Sequence, residues 1–233
     1  MEISDICLDI KKKKELSDLK DSFVINLVKN YISENNIDLD KKNIKRTSEY
    51  KLMFKEIRRI LRKSYGSFKD YYDPRSREVY KKIFSLTLKP KSILDLGCGL
   101  TPLDLKNYEY HAYDISSSNI EKIKEHFKKK EIKGTAALFD LIYDDYSSLP
   151  STDICFLFKV LESLEAIKKN ISLSVLNKIK SKYIVISFAK NVLSGNVIIK
   201  KKGRQWFRRI LKYNFPDFKE FDTEEEIFYI ITK

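Results

Sequence analysis

The stretch Ser92-Ile93-Leu94-Asp95-Leu96-Gly97-Cys98-Gly99-Leu100-Thr101-Pro102 constrains this chain more than any other. Ile93 to Leu96, apolar except for Asp95, predicts a buried strand that stops at two glycines. Neither glycine carries a Cβ, so the backbone can turn sharply there and approach a ligand closely. Acids just before and just after such a turn argue against phosphate, which wants lysine or bare amides, and suit hydroxyls and a cationic ligand. An ordinary strand-to-loop turn has the same G-x-G, which alone is a weak signal. The continuation strengthens it. Tyr110-His111-Ala112-Tyr113-Asp114-Ile115 predicts a second strand ending on an acid about 20 residues further on, where a ribose-binding carboxylate stands in nucleotide-binding βαβ units.

From residue 92 onward, strand patterns alternate with helical ones, which predicts a parallel sheet. Strands are expected at 92–97, 109–115, 135–140, 153–158, 183–189, 218–223 and 226–232, with helices at 118–129, 163–180 and 203–213. The last two strands have no helix between them and should form an antiparallel hairpin. The expected fold is therefore α/β, a Rossmann-like seven-stranded sheet with a C-terminal antiparallel hairpin, preceded by an α-helical N-terminal extension.

Residues 1–88 form that extension, and residues 89–233 the sheet domain. Leu19, Phe23, Leu27, Val28 and Tyr31 recur at helical spacing, and a polar break follows at Asn35-Asn36 and from Asp38 to Asn43. A second amphipathic run puts Leu52, Ile57, Ile60 and Leu61 on one side and Lys51, Lys55, Arg58, Arg59, Arg62 and Lys63 around the other. Tyr65-Gly66-Ser67 breaks it. A further helix is expected from Asp73-Pro74 through Arg75, Arg77, Tyr80 and Phe84, closed by Lys89-Pro90.

Charge is unevenly distributed. The net +13 of the 233 residues divides into +9 for residues 1–91, −1 for 92–180 and +5 for 181–233. A neutral middle between basic ends suits a small-molecule site that serves a polyanion, although solvated lysine-rich surfaces give the same totals. Cys7, Cys98 and Cys155 lack C-x-x-C spacing and a neighbouring histidine pair, so neither a disulfide framework nor a metal site is expected. Nothing resembles a signal peptide, and no apolar run approaches the roughly 20 residues of a membrane span. A cytoplasmic monomer is expected, with no membrane partner.

Four positions fall at the carboxyl ends of successive strands, where open α/β sheets bind ligands. They are the Asp95/Gly97/Gly99 turn, Asp114, Asp140-Leu141 and Phe158-Lys159. Asp114 suits ribose hydroxyls. Asp140 can accept from an adenine amino group while Leu141 offers a backbone N–H, and Phe158-Lys159 would face the reacting centre.

With two glycines and Asp95 inside the motif, the turn resembles the S-adenosylmethionine (SAM) loop of class I methyltransferases. A narrower resemblance follows. Asp95-Leu96-Gly97-Cys98-Gly99-Leu100-Thr101-Pro102-Leu103 is similar to the D-x-x-C-G-L-N-P-L motif of the aminoglycoside-resistance 16S rRNA (guanine-N7) methyltransferases. Leu157-Phe158-Lys159-Val160-Leu161-Glu162-Ser163-Leu164-Glu165 resembles that family's I-F-K-L-L-P-x-L-E segment, and Val185-Ile186-Ser187-Phe188-Ala189-Lys190-Asn191-Val192-Leu193-Ser194-Gly195 its V-S-F-P-x-x-S-L-G-G stretch. Trp206-Phe207 and Ile227-Phe228-Tyr229-Ile230-Ile231 also match in place and type, so the resemblance covers about residues 90–233. The chain departs from the family at Thr101, which replaces an asparagine. It also carries Ser194-Gly195-Asn196 and then Lys200-Lys201-Lys202-Gly203-Arg204 in place of a glycine- and arginine-rich stretch.

The resemblance implies SAM as methyl donor and a guanine N7 in small-subunit ribosomal RNA as acceptor. It also implies that the basic helices dock on the assembled small subunit. Arg77 or Arg75 would hold the SAM carboxylate, and Arg77, Asp95, Gly97, Cys98, Gly99, Asp114, Ile115, Asp140, Leu141, Phe158 and Lys159 make up the expected cofactor site. Arg58, Arg59, Arg62, Lys190, Lys200, Lys201, Lys202, Arg204 and Trp206 are the expected RNA contacts. Phe188 and Trp206 could stack on the target base, or could equally be core residues. Guanine N7 keeps its lone pair at neutral pH, so no general base is expected and catalysis reduces to in-line positioning. Another RNA, a non-RNA substrate, or a SAM-binding ribosome assembly factor with little turnover stay open as alternatives.

Overall fold

The computed structural model of this chain describes residues 1–66, 72, 74–190 and 204–233. β1 (Ser92–Leu96) and β4 (Ile154–Phe158) are near-continuous apolar runs, as parallel strands covered on both faces must be. They lie at the centre of a seven-stranded sheet. β2 (Glu109–Asp114) and β3 (Gly134–Leu138) extend it on one side; β5 (Tyr183–Ala189), β7 (Glu226–Thr232) and β6 (Lys219–Asp222) extend it on the other, in the order β3-β2-β1-β4-β5-β7-β6. The first five strands are parallel, and β7 runs antiparallel to both β5 and β6. The expected class and hairpin are present, and every strand ends within two residues of its expected bounds.

Alternation along β1 divides the core. Leu94 and Leu96 belong to one hydrophobic cluster with α1 (Ile3–Lys11), α2 (Asp21–Asn35), α3 (Ser48–Leu61), α6 (Leu161–Ile167), α7 (Ile171–Lys178) and α8 (Gln205–Asn214). Ile93 belongs to a second cluster with α4 (Arg77–Leu86) and α5 (Ser117–Lys130). The N-terminal helices and one sheet face thus share a continuous core. They are also joined through the backbone: Leu19 and Ser116 form a β-bridge, Lys20 N–H donates to Ile115 C=O at 2.8 Å, and Ser117 N–H donates to Asp18 C=O at 2.8 Å.

Four local expectations are corrected. The helix expected at 163–180 is two helices, because Asn170 adopts φ +61° and the Glu165 carboxylate accepts the N–H groups of Asn170 and Ser172 at 2.7 and 2.8 Å. That carboxylate caps the start of α7, as N-terminal donors require. Leu19 precedes α2 instead of lying in it. The buried face of α3 is Tyr50, Met53, Ile57 and Leu61; Leu52 is 52% exposed and Ile60 only half-buried. The helix expected from Asp73-Pro74 begins at Arg77, so Arg75 sits in the segment before it; Asp73 lies outside the described residues.

Candidate functional site

The chain leaves β1 into a turn in which Gly97 has φ +67° and Gly99 φ +52°, conformations that other residues rarely adopt. A Cβ on Gly97 would lie 2.6 Å from Val160 Cγ2, whereas one on Gly99 would meet nothing within 4 Å and would project into open space. Gly97 and Cys98 N–H both donate to Tyr113 C=O, at 2.8 and 3.1 Å. Gly99 N–H donates to Asp114 Oδ2, and Ser116 N–H to Asp114 Oδ1, each at 2.8 Å. Asp114 therefore holds both the glycine turn and the loop after β2.

These loops border a cleft of about 1080 Å³, open mouth included. Among the expected cofactor residues, Gly97, Cys98, Gly99, Asp114, Ile115, Asp140, Leu141, Phe158 and Lys159 line it. Asp95 and Arg77 do not. Asp95 is 1% exposed, and its Oδ2 accepts the Tyr110 hydroxyl at 2.7 Å; alternation on β1 sends it to the Ile93 side of the sheet. Burial raises its pKa to about 7. Arg77 is exposed on the first turn of α4.

Arg75 lines the cleft instead. Its guanidinium is 4.2 Å from the Phe158 ring centroid, meets Glu226 Oε2 at 3.0 Å and donates to Thr101 Oγ1 at 3.4 Å. Its backbone N–H donates to Asp104 Oδ2 at 3.2 Å. Lys159, with φ +59° just past β4, brings a second cation to the same carboxylate: its Nζ is 3.4 Å from Glu226 Oε1.

Asp140 has one engaged and one unengaged oxygen. Oδ1 accepts Ile142 and Tyr143 N–H at 2.8 and 3.3 Å, while Oδ2 is buried without a hydrogen-bond partner among the described residues. Buried polar atoms are seldom left so, and this one belongs to a cleft-lining residue, where it can accept from a ligand donor. Burial raises the pKa of both Asp140 and Asp114.

The N-terminal extension supplies a wall that local sequence patterns did not reveal. Phe23, Ser64 and Tyr65 line the cleft together with Phe139, Val160, Leu164 and Ile167. Tyr65 Oη donates to Asp18 Oδ2 at 2.7 Å, and Ser116 Oγ donates to the same oxygen at 2.6 Å. In the sequence Phe23 reads only as a core position of a helix and Tyr65 only as part of the break after the basic helix, so neither marks the cleft.

Most described members of the expected RNA set have partners within the chain. Arg58 is half-buried, donating to Asp9 C=O at 2.7 Å; Arg59 pairs with Glu56 at 2.7 Å and Arg62 with Glu15 at 2.9 Å, both on the surface. Lys190 pairs with Asp222 at 2.7 Å. Arg204 is 1% exposed, paired with Glu162 at 2.8 Å and with the Ala189 carbonyl, a placement that suits structure better than RNA contact. Phe188 is fully buried against Trp206, Phe207 and Tyr229, so it is a core residue, and Trp206 is half-buried beside it. Lys200, Lys201 and Lys202 lie outside the described residues. Among the described residues, no helix is long and apolar enough to cross a membrane.

Comparison with known proteins gives a consistent picture. Residues 53–203 match the family described as ribosomal RNA methyltransferase (FmrO). A 16S rRNA (guanine(1405)-N(7))-methyltransferase of Proteus mirabilis is 29% identical over 126 residues, 51% of this chain and 44% of that protein. One of Micromonospora echinospora is 27% identical over 121 residues, 49% of this chain and 43% of that protein. The matches span less than half the length of either relative. The crystal structure of 16S rRNA methyltransferase RmtF in complex with S-adenosyl-L-homocysteine superposes with a TM-score of 0.73, covering 100% of this chain and 99% of that one. At 19% identity, that likeness is one of fold.

Proposed function

Because the chain belongs to the ribosomal RNA methyltransferase (FmrO) family, we propose that it binds SAM in the cleft and methylates a guanine N7 of small-subunit 16S ribosomal RNA. The observation that carries the cofactor reading is the cleft at the carboxyl ends of β1 to β4, where Asp140 Oδ2 is buried and unpartnered. An adenine amino group supplies the donor that oxygen lacks. Asp114 accepts the Gly99 and Ser116 N–H groups and keeps acceptor capacity for a ribose hydroxyl. Arg75 and Lys159 supply positive charge for an amino-acid carboxylate, and the open space at Gly99 admits the ligand to the backbone.

When bound, SAM supplies an electrophilic methyl group. The protein's own part is orientation. Phe23, Phe139, Val160, Leu164 and Ile167 keep water from the cleft, and no side chain has to remove a proton, because guanine N7 already presents a lone pair. In A-form RNA that edge lies in a deep, narrow groove, so the guanine has to be approached at a distorted or flipped position. Residues 1–88 form the docking surface for the assembled subunit, with the exposed Arg59 and Arg62, and the half-buried Lys190 beyond them, as phosphate contacts, and the protein works as a monomer in the cytoplasm. Transfer of labelled methyl from SAM to purified small subunits tests this; no transfer to them under conditions where the protein binds SAM would refute it.

A further inference from the structure

Glu226 is 3% exposed at the start of β7, far in sequence from the glycine turn, and it meets two cations. Arg75 approaches at 3.0 Å from the segment before α4, and Lys159 at 3.4 Å from the end of β4. Both cations line the cleft, whereas Glu226 stands behind them. Its backbone is fixed on each side: its N–H donates to Thr223 Oγ1 at 3.0 Å, its carbonyl accepts Thr223 N–H at 2.8 Å, and it pairs with Ala189 across β5. A carboxylate placed so deeply is tolerated only when paired, and this one is paired twice.

Geometry limits what the pair of cations could do alone. Two like charges near one another repel and, on long side chains, would splay toward solvent. Glu226 offsets part of that repulsion and holds the two cations side by side. The Phe158 ring, 4.2 Å from the Arg75 guanidinium, fixes the plane of that group.

We infer that Glu226 is a positioning residue, holding Arg75 and Lys159 as one cationic corner that recognises the carboxylate of the cofactor's amino-acid tail. This rests on the SAM reading of the cleft and adds to it the strand on the far side of the sheet.

The test is calorimetric binding of S-adenosylhomocysteine, which carries the tail, and of 5′-methylthioadenosine, which lacks it, to the full chain. Wild type should prefer the tailed ligand. Glu226→Gln should weaken S-adenosylhomocysteine binding at least tenfold while methylthioadenosine affinity changes less than twofold. Should that variant not fold, Glu226→Asp, which keeps the charge but shortens its reach to Arg75 and Lys159, should show a smaller loss confined to S-adenosylhomocysteine. Equal losses for both ligands, or none for either, would overturn the inference. A wild-type protein that binds neither ligand would instead overturn the cofactor reading itself.

Discussion

Asp114 Oδ2 accepts the N–H of Gly99 at 2.8 Å, so the acid that ends β2 also holds the glycine turn that follows β1. The two motifs that stand out in the sequence are one hydrogen-bonded unit. Asp114→Ala removes that acceptor along with the acceptor capacity assigned to the ribose. We expect S-adenosylhomocysteine affinity to fall by roughly 1–3 kcal/mol, read by calorimetry. Unchanged affinity would remove Asp114 from the ligand site.

Gly97 and Gly99 should separate stability from binding. Gly97→Ala sets a methyl 2.6 Å from Val160 Cγ2 at φ +67° and should destabilise the fold by roughly 1–3 kcal/mol. Adding Val160→Ala should recover part of that loss. Gly99→Ala meets no protein atom within 4 Å, so its larger effect should be on ligand affinity. Denaturant melts and calorimetry on the four proteins check the pattern; equal stability of the Gly97→Ala single and double variants would count against the contact.

Asp95 keeps its proton in the folded protein up to about pH 7, against 3.8 for the ordinary group. The folded state binds the proton more tightly, so this contribution to stability is complete below pH 3.8 and is lost as pH rises through about 7. Asp95→Asn has no proton to lose. The stability of wild type relative to Asp95→Asn should therefore decline with rising pH across that window, measured by denaturant unfolding at several pH values. A pH-independent difference would show that Asp95 does not titrate there.

Two kinds of arginine should behave differently. Arg59 and Arg62 form exposed pairs, which contribute little to stability. Replacing both with alanine should leave the melting temperature nearly unchanged, weaken subunit binding and flatten its salt dependence by up to about two counterions. Arg204→Ala leaves the Ala189 carbonyl and Glu162 without their donor and should cost roughly 1–3 kcal/mol of stability. The reverse pattern would place the RNA face around Arg204.

The sheet was legible because its strands are apolar runs between turn residues, and β1, β4, β5 and β7 are buried almost throughout, as strands covered on both faces are. Residues carried directly by a strand end, such as Asp114, Asp140 and Lys159, were legible for the same reason. Asp95 was not, since its strand turns it away from the cleft toward Tyr110. Arg75 could not be distinguished from Arg77, because the choice depends on where α4 begins, and helix starts shift by a residue or two with little change in pattern. Phe23 and Tyr65 reach the cleft only because Asp18, Leu19 and Lys20 are stitched to the loop after β2, a tertiary relationship with no local signature. The division at Asn170 turned on Glu165 reaching forward to cap α7, which helical periodicity does not record.

The most direct measurement is transfer of labelled methyl from SAM to purified small subunits, naked 16S rRNA and tRNA, with the product mapped by borohydride and aniline cleavage. The expected result is label in assembled small subunits and cleavage at a single guanine, the mark of N7 methylation. Label confined to tRNA or a non-RNA acceptor, or small subunits labelled without cleavage at any guanine, would contradict it.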